Sequence, residues 1–217
     1  MPRQRHAPAA AGIEPRKRPR QERSLEMVER ILDTARQLAN ETGIKGMSTA
    51  KIAARAGLSI GSLYQYFPNK ESIVLELARR WLARFRTVLD QYRDGAPPRS
   101  WRAFSNRMRA FLREIGSLYR ESSDMLPVLE LLAPSAELRH VEIEHDRAIV
   151  ESLVQWFRDI NPRLSREAAA RLGLLLLEAG HACFKAAATQ MPGQARQIQA
   201  DLETMMLALL RPHLALR

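Results

Sequence analysis

Five residues able to bind metal or move protons crowd one stretch of the chain: His140, Glu142, Glu144, His145 and Asp146. On a helix His140 and Glu144 share a face, being four residues apart. Two ligands do not complete a metal site, which needs three or four donors in fixed geometry, so a solvated helix face is the simpler reading. His181 and Cys183 are two apart and point away from each other on a helix. His181 lies in an otherwise apolar stretch, where it reads as a satisfied buried histidine or as a polar contact to a bound molecule. No P-loop, nucleophile elbow, HExxH or CxxC pattern is present. The residues predict no catalytic site, no metal and no cofactor, and hence no enzyme.

Recognition chemistry is written more clearly in residues 48–70, STAKIAARAGLSIGSLYQYFPNK. Two short amphipathic stretches, TAKIAARA and IGSLYQYF, flank Gly57-Leu58-Ser59, the pattern of two helices joined by a tight turn. Gly57 can take the positive φ that ends the first helix. Ser59 can cap the second, and Leu58 and Leu63 stand where a hydrophobic staple would set its entry angle. Ile52, Ala53 and Ala56 form a small inner face that permits close crossing. Leu63, Phe67 and part of Tyr66 turn inward, which leaves Ile60, Gly61, Tyr64 and Gln65 on the opposite face. An outward face of Ile, Gly, Tyr and Gln without charge is unusual for a surface helix and suits a surface that meets base edges. By spacing alone an αα-hairpin of an unrelated bundle remains open beside a helix-turn-helix.

The run Thr49, Ile52-Ala53, Ala56-Gly57-Leu58-Ser59, Gly61, Leu63-Tyr64, Tyr66-Phe67 and Lys70 resembles the N-terminal domain of the TetR (tetracycline-repressor-like) family. The resemblance extends from near Val28 to near Leu77, about 50 residues. It implies a dimeric transcriptional regulator, most often a repressor, that binds a palindromic operator in double-stranded DNA and is released by a small molecule. Carried over residue by residue, it implies phosphate contacts at Thr49, Lys51, Tyr64, Tyr66 and Lys70. Beside the cap Ser59, it implies base reading at Ile60, Gly61, Ser62 and Gln65. Ala50 stands where some relatives have arginine, and no Arg or Lys occurs in the recognition helix before Lys70, so the usual guanine reader is missing. Gln65 can pair with adenine and Ile60 can pack on a thymine methyl. Two rival readings stay open: a DNA-binding protein without a ligand, constitutive or architectural, and a helical enzyme or scaffold.

Composition agrees. The chain has 217 residues, 46% of them hydrophobic, and 34 basic against 24 acidic side chains. Residues 1–70 hold 13 basic and 6 acidic groups, residues 71–217 hold 21 and 18, so the excess lies with the helix-turn-helix, as an electrostatic footprint for phosphate should. Cys183 is the single cysteine, which excludes an intramolecular disulfide and fits a reducing compartment. No signal-like segment is seen, and the longest apolar run, Leu172 to Leu177, falls far short of the ~20 residues that cross a bilayer. A cytoplasmic protein with no membrane partner is expected.

The elements that would position these groups are all helical, about nine in number. Residues 1–22, with four prolines and the run Arg16, Lys17, Arg18, Pro19, Arg20, form either a solvated tail or an arm that follows phosphates or enters the minor groove. The expected division is an arm at 1–22, a helix-turn-helix domain at 23–70 and a helical regulatory and dimerisation domain at 71–217. A first helix runs from a Ser24 cap to Gly43, and a long one from an Asn69 cap to about Gln91. Beyond the Gly95-Ala96-Pro97-Pro98 linker follow Ser100–Glu121, Met125–Leu132 before Pro134, Ser135–Ile160, Ser165–Thr189 and Gln194–Leu210. The helix from Ser165 is apolar almost all round, so it must be buried on more than one side, as a core helix or as half of a four-helix subunit interface. Leu172, Leu176, Leu202, Met205 and Leu209 are the expected partner-facing residues. Trp101, Met108, Phe111, Met125, Trp156 and His181 are candidates to line a ligand pocket, although spacing alone does not separate a pocket from a core.

Overall fold

The structure is a computed structural model that describes Gly12, residues 14–16, 22–129 and 136–216. Nine α-helices and no strand occur among the described residues: α1 (Glu22–Gly46), α2 (Thr49–Arg55), α3 (Ile60–Tyr64), α4 (Lys70–Arg93), α5 (Trp101–Glu121), α6 (Leu126–Leu129), α7 (Ala136–Ile160), α8 (Arg166–Ala188) and α9 (Pro192–Leu214). The part of the sixth helix expected to reach Leu132 and stop at Pro134 lies outside the described residues. The chain forms two compact units. One takes the described residues up to Arg80 and those within 127–138; the other takes residues 81–126 and 139 onward.

In the first unit α1 buries a stripe of Val28, Ile31, Leu32, Ala35, Leu38 and Ala39, one side of a 3.6-residue repeat. Its regular path breaks at Gly43, where φ is +65°. Helices α1, α2 and α3 pack in sequence. Ile52 and Leu63 are fully buried and Ala53, Ala56 and Phe67 nearly so. The turn between α2 and α3 rests on Gly57, whose φ of +67° costs a side chain-bearing residue and glycine nothing. Asn69 starts α4 by accepting the Ser72 amide at 2.8 Å. The first turns of α4 bury Ile73, Val74, Leu75, Leu77 and Ala78, and Arg80 binds Glu29 of α1 at 2.6 Å and Glu76 at 2.8 Å.

In the second unit α5 packs on α8 and α9, which pack on each other. Ser100 and Ser165 cap α5 and α8, accepting the amides of Ala103 and Ala168. The core holds Phe104, Met108, Leu112, Trp156 and Phe157, with Trp156 6.0 Å from Phe104 and 6.2 Å from Phe111. Helix α9 begins at Pro192 and runs to Leu214, longer at both ends than the expected Gln194–Leu210. At the start, Pro192 fits a first turn, where its missing N–H has no partner to lose; at the end, the helix continues through Pro212 into its last turn.

Burial within this single chain corrects the dimer assignment. Leu172, Leu176 and Leu202 are 1%, 5% and 2% exposed; they fill the chain's own core and are closed to a second subunit. The apolar side chains that α8 turns outward are Leu174 and Leu175, at 49% and 47% exposure, with Ala182 and Ala186 on the same side. On α9, Met205 is 49% exposed, as an interface residue should be, and Leu209 is half-buried. Leu202→Glu should therefore unfold the helical unit, because a buried charge without a counter-ion costs several kcal/mol, while Leu175→Glu should leave it folded. Circular dichroism with thermal melting distinguishes the two; an Leu202→Glu chain that melts like the parent would refute this packing.

Candidate nucleic-acid interface

The outward face of α3 is built by what holds its inward face. Ser59 Oγ accepts the Ser62 amide at 3.0 Å and pairs with Ser62 Oγ at 2.8 Å. Leu63 plugs the core, so Ile60 and Tyr64 stand out at 41% and 39% exposure, with Gly61 and Gln65 exposed beside them. Tyr64 Oη lies 3.2 Å from Thr49 Oγ1, which brings the first residue of α2 and the end of α3 to one point. Lys51 donates its ammonium to the Gly46 carbonyl at 2.7 Å, a contact that uses one of three donors and keeps the charge by the start of α2. Lys70 opens α4 and is half-buried.

Gly61 has no internal reason to be glycine. Its φ is not in the left-handed region, and a methyl group there would meet only Ser59 Oγ, at 3.8 Å. The space is open outward, as required where another backbone approaches closely. Tyr66 departs from expectation: it is 5% exposed and belongs to the core of this unit, where its ring is closed to the phosphate contact expected of it. Ser62 is half-buried, its hydroxyl already shared with Ser59.

The segment before α1 supplies a feature that periodicity did not reveal. Glu14 forms a two-pronged ion pair with Arg79, at 2.6 and 2.7 Å. The Arg16 amide donates to the Tyr66 carbonyl at 2.8 Å, and its guanidinium reaches the Tyr64 carbonyl at 3.4 Å. Glu14 and Arg16 thus tie this segment to α4 and to the turn that ends α3. Lys17, Arg18 and Arg20 lie outside the described residues. The signal in the sequence was Glu14 itself, the one acid among the basic groups of residues 1–20.

The second unit contains an apolar cavity of about 30 Å³, room for a water or two. Phe111 and His181 line it, together with Phe85, Leu112, Leu153 and Phe184. The other expected pocket residues do not reach it. Met108, Met125 and Trp156 are core side chains, and Trp101 packs on Phe104 and under the Arg211 guanidinium. Their spacing is that of any buried helix face, which is why they could not be told apart from a lining. His140 pairs with Glu144 at 3.2 Å on an exposed face.

Residues 31–77 match the family described as bacterial regulatory proteins, tetR family, and residues 104–210 match the tetracyclin repressor-like C-terminal domain. The chain belongs to the TetR family. Tetracycline repressor protein class D of Escherichia coli is 33% identical over 95 residues, which are 44% of this chain and 42% of that repressor; the chain thus spans less than half the length of the tetracycline repressors it matches. An uncharacterized helix-turn-helix regulator from the dhlA 5′ region of Xanthobacter autotrophicus is 25% identical over 187 residues, 84% of this chain and 90% of its own. A transcriptional regulator from Rhodococcus superposes with a TM-score of 0.68 at 22% identity, covering 88% of this chain and 99% of that one. The SmeT–triclosan complex gives 0.67 at 18% identity, covering 85% and 91%. At such identities the superpositions show the TetR fold. No helix among the described residues is long and apolar enough to cross a membrane.

Three outcomes follow for this TetR-family chain. Gly61→Ala should hold or raise thermal stability by about 1 kcal/mol, alanine being the better helix former, yet weaken DNA binding by filling the open approach; unchanged affinity in a gel shift would mean no backbone comes near. Deleting residues 1–20 should lower DNA affinity and make its salt dependence less steep by up to ~0.9 per lost phosphate contact. Glu14→Gln should reproduce part of that loss although it removes a negative charge, because the clasp and not the charge is what it breaks. A salt slope indifferent to both would leave the segment a solvated tail.

Proposed function

We propose that the chain is a dimeric, ligand-responsive transcription regulator, a repressor that holds a palindromic operator and is released by a small molecule. The observation that carries this reading is the uncharged, exposed face of α3, with Ile60, Gly61, Tyr64 and Gln65 presented by a helix whose other side is wholly buried. Thr49, Lys51, Tyr64 and Lys70 take phosphates; Ile60, Gly61, Ser62 and Gln65 meet bases; Arg16, Lys17, Arg18 and Arg20 follow the backbone beside them. Residues 23–70 act as the DNA-binding domain and 71–217 as the regulatory one. The partner subunit seats on Leu174, Leu175, Ala182 and Met205, giving the two recognition helices a common two-fold axis. The protein works in the cytoplasm and the reading needs no catalysis.

Small-molecule control is supported by SmeT, a structural neighbour solved as a complex with triclosan. A ligand acts on DNA affinity only through its differential affinity for two conformations. Helix α4 carries both Lys70 and the cavity residue Phe85, so a shift along this one helix is the simplest lever. The small volume of this cavity favours a second reading, a DNA-binding protein without a ligand, while an open cleft of about 710 Å³ lined by Arg113, Arg120 and Gln199 leaves room for one elsewhere in the unit.

Selected-site binding followed by a gel shift tests the proposal. The sites should be palindromic, and adenine and thymine should carry the major-groove preference more than guanine. Gln65→Ala should relax one position in each half-site, at about 1–3 kcal/mol per bidentate contact, whereas Lys70→Ala should weaken all sequences alike. Half-sites equally degenerate with and without Gln65 would remove that residue from base reading. Leu175→Glu should give a folded monomer, measured by sedimentation, that no longer holds the operator.

A further inference from the structure

Where α8 gives way to α9, the open cleft of about 710 Å³ runs beside α5, a size that holds a small molecule. Its wall from the end of α8 and the start of α9 is small and apolar: Ala187, Ala188, Pro192 and Ala195. The polar side carries Arg113, Ser117 and Arg120 from α5, with Arg196 and Gln199 from α9. Spaced by three and four residues, the α5 group shares one face of its helix, as do Arg196, Gln199 and Glu203. Met205, two positions on from Glu203, lies on the far side of α9, so the cleft is clear of the face given above to the partner subunit.

The cleft holds donors that the chain does not satisfy. Gly116 makes room for them: a Cβ there would lie 2.8 Å from Gln199 Oε1 and 3.3 Å from an Arg120 guanidinium nitrogen. In that space Arg120 donates to Gln199 Oε1 at 3.0 Å and to Ser117 Oγ at 2.8 Å. Arginine has no acceptor, so Gln199 must turn its carbonyl to Arg120 and its NH₂ group away. Gln199 is only 9% exposed, yet that nitrogen has no partner among the described residues, whereas buried polar groups as a rule have one. Arg113 and Arg196 have no carboxylate partner among the described residues either, and the bonds of Arg120 go to neutral oxygens. Glu203, the acid in the lining, is matched by Arg109 at 4.0 Å. Arginines on a surface are ordinarily just solvated; the glycine-made seat and the buried amide set these apart.

We propose that this cleft binds a small organic polyanion, its carboxylate or phosphate oxygens on Arg113, Arg120, Arg196 and the Gln199 amide and its apolar part on the alanine wall. Guanidinium forks donate to both kinds of oxygen in pairs. The proposal names the ligand class that the ligand-responsive reading leaves open, and rests on that reading for any effect on DNA.

The test titrates the full chain, without DNA, by calorimetry with benzene-1,3,5-tricarboxylate, inorganic pyrophosphate and the neutral 1,3,5-benzenetrimethanol. At least one anion should bind once per chain and about tenfold or more tightly than the triol, the margin of charge-assisted contacts; the tighter of the two tells carboxylate from phosphate. Arg196→Gln, on an exposed side chain, should weaken that anion about fivefold or more. Gly116→Ala should do likewise with no change of charge, because its methyl group displaces Gln199 Oε1 and the Arg120 head. Lys51→Gln, on the DNA-binding face, should leave anion binding as it was. Anion binding that survives Arg196→Gln or Gly116→Ala, or that is lost in Lys51→Gln, overturns the cleft as the site. Failure of both anions to bind, or a triol that binds as tightly, overturns the polyanion. Because binding is read without DNA, an operator complex that persists with the anion bound counts against release by a ligand and not against this site.

Discussion

The exposed face of α3 depends on how that helix crosses α2. Helix α3 has five residues, too few to be stable alone, since helix nucleation is costly and short helices are marginal in water. Its direction is therefore set by its neighbours: by Leu63 and Ile52 buried without residual exposure, by the left-handed turn at Gly57 and by the Ser59 hydroxyl that satisfies an orphan amide of its first turn. Small residues at Ala53 and Ala56 allow the close approach. The outward face is then free to carry Ile60, Gly61 and Gln65, which make no packing contact the fold needs, beside Tyr64, whose hydroxyl meets Thr49. A surface whose composition the fold does not require is one that its partner does.

Much of this was legible because it is local. Capping depends on a side chain and an amide one turn away, so Ser59 and Asn69 could be assigned from neighbours in sequence, as could the turn at Gly57; the cap expected at Ser24 fails because α1 already starts at Glu22. The clasp of Glu14 on Arg79 spans 65 positions and leaves no periodic trace. Tyr66 shows the same limit in miniature. Its phase on the recognition segment is intermediate, and only the packing around it decides that its ring faces the core.

Helix α8 shows why a helix can be recognised while its faces are misassigned. Amphipathic periodicity carries a phase, and the phase tells which residues are inside. A helix apolar nearly all round carries none. Leu172 and Leu176 point into the core and Leu174 and Leu175 point out, yet all four are the same residue type in one unbroken stretch. What separates them is where α5 and α9 lie, information held in other segments. The pocket candidates suffered likewise: Met108 and Phe111 sit three apart on α5, and one packs into the core while the other borders the cavity.

The unpartnered buried polar atoms of His145, Asp146 and His181 cost the fold stability. An unpartnered buried donor or acceptor costs about 1–3 kcal/mol, and apolar side chains at 145, 146 and 181 would pack without it. The two histidines limit that cost by staying neutral. With folded values near 3 and 4 against an ordinary 6.5, they withhold stability only as pH falls below about 6.5, because the unfolded chain then binds protons that the folded one does not. Asp146 runs the other way. Its folded value is near 6 against 3.8, so the stability it contributes in acid is lost as pH rises through that range. Near neutrality the histidines are uncharged and the carboxylate is ionised, with Glu142 and Glu178 adding to its burden. Between about pH 4 and 6 the two effects oppose each other, the histidines losing stability as pH falls and the carboxylate regaining it.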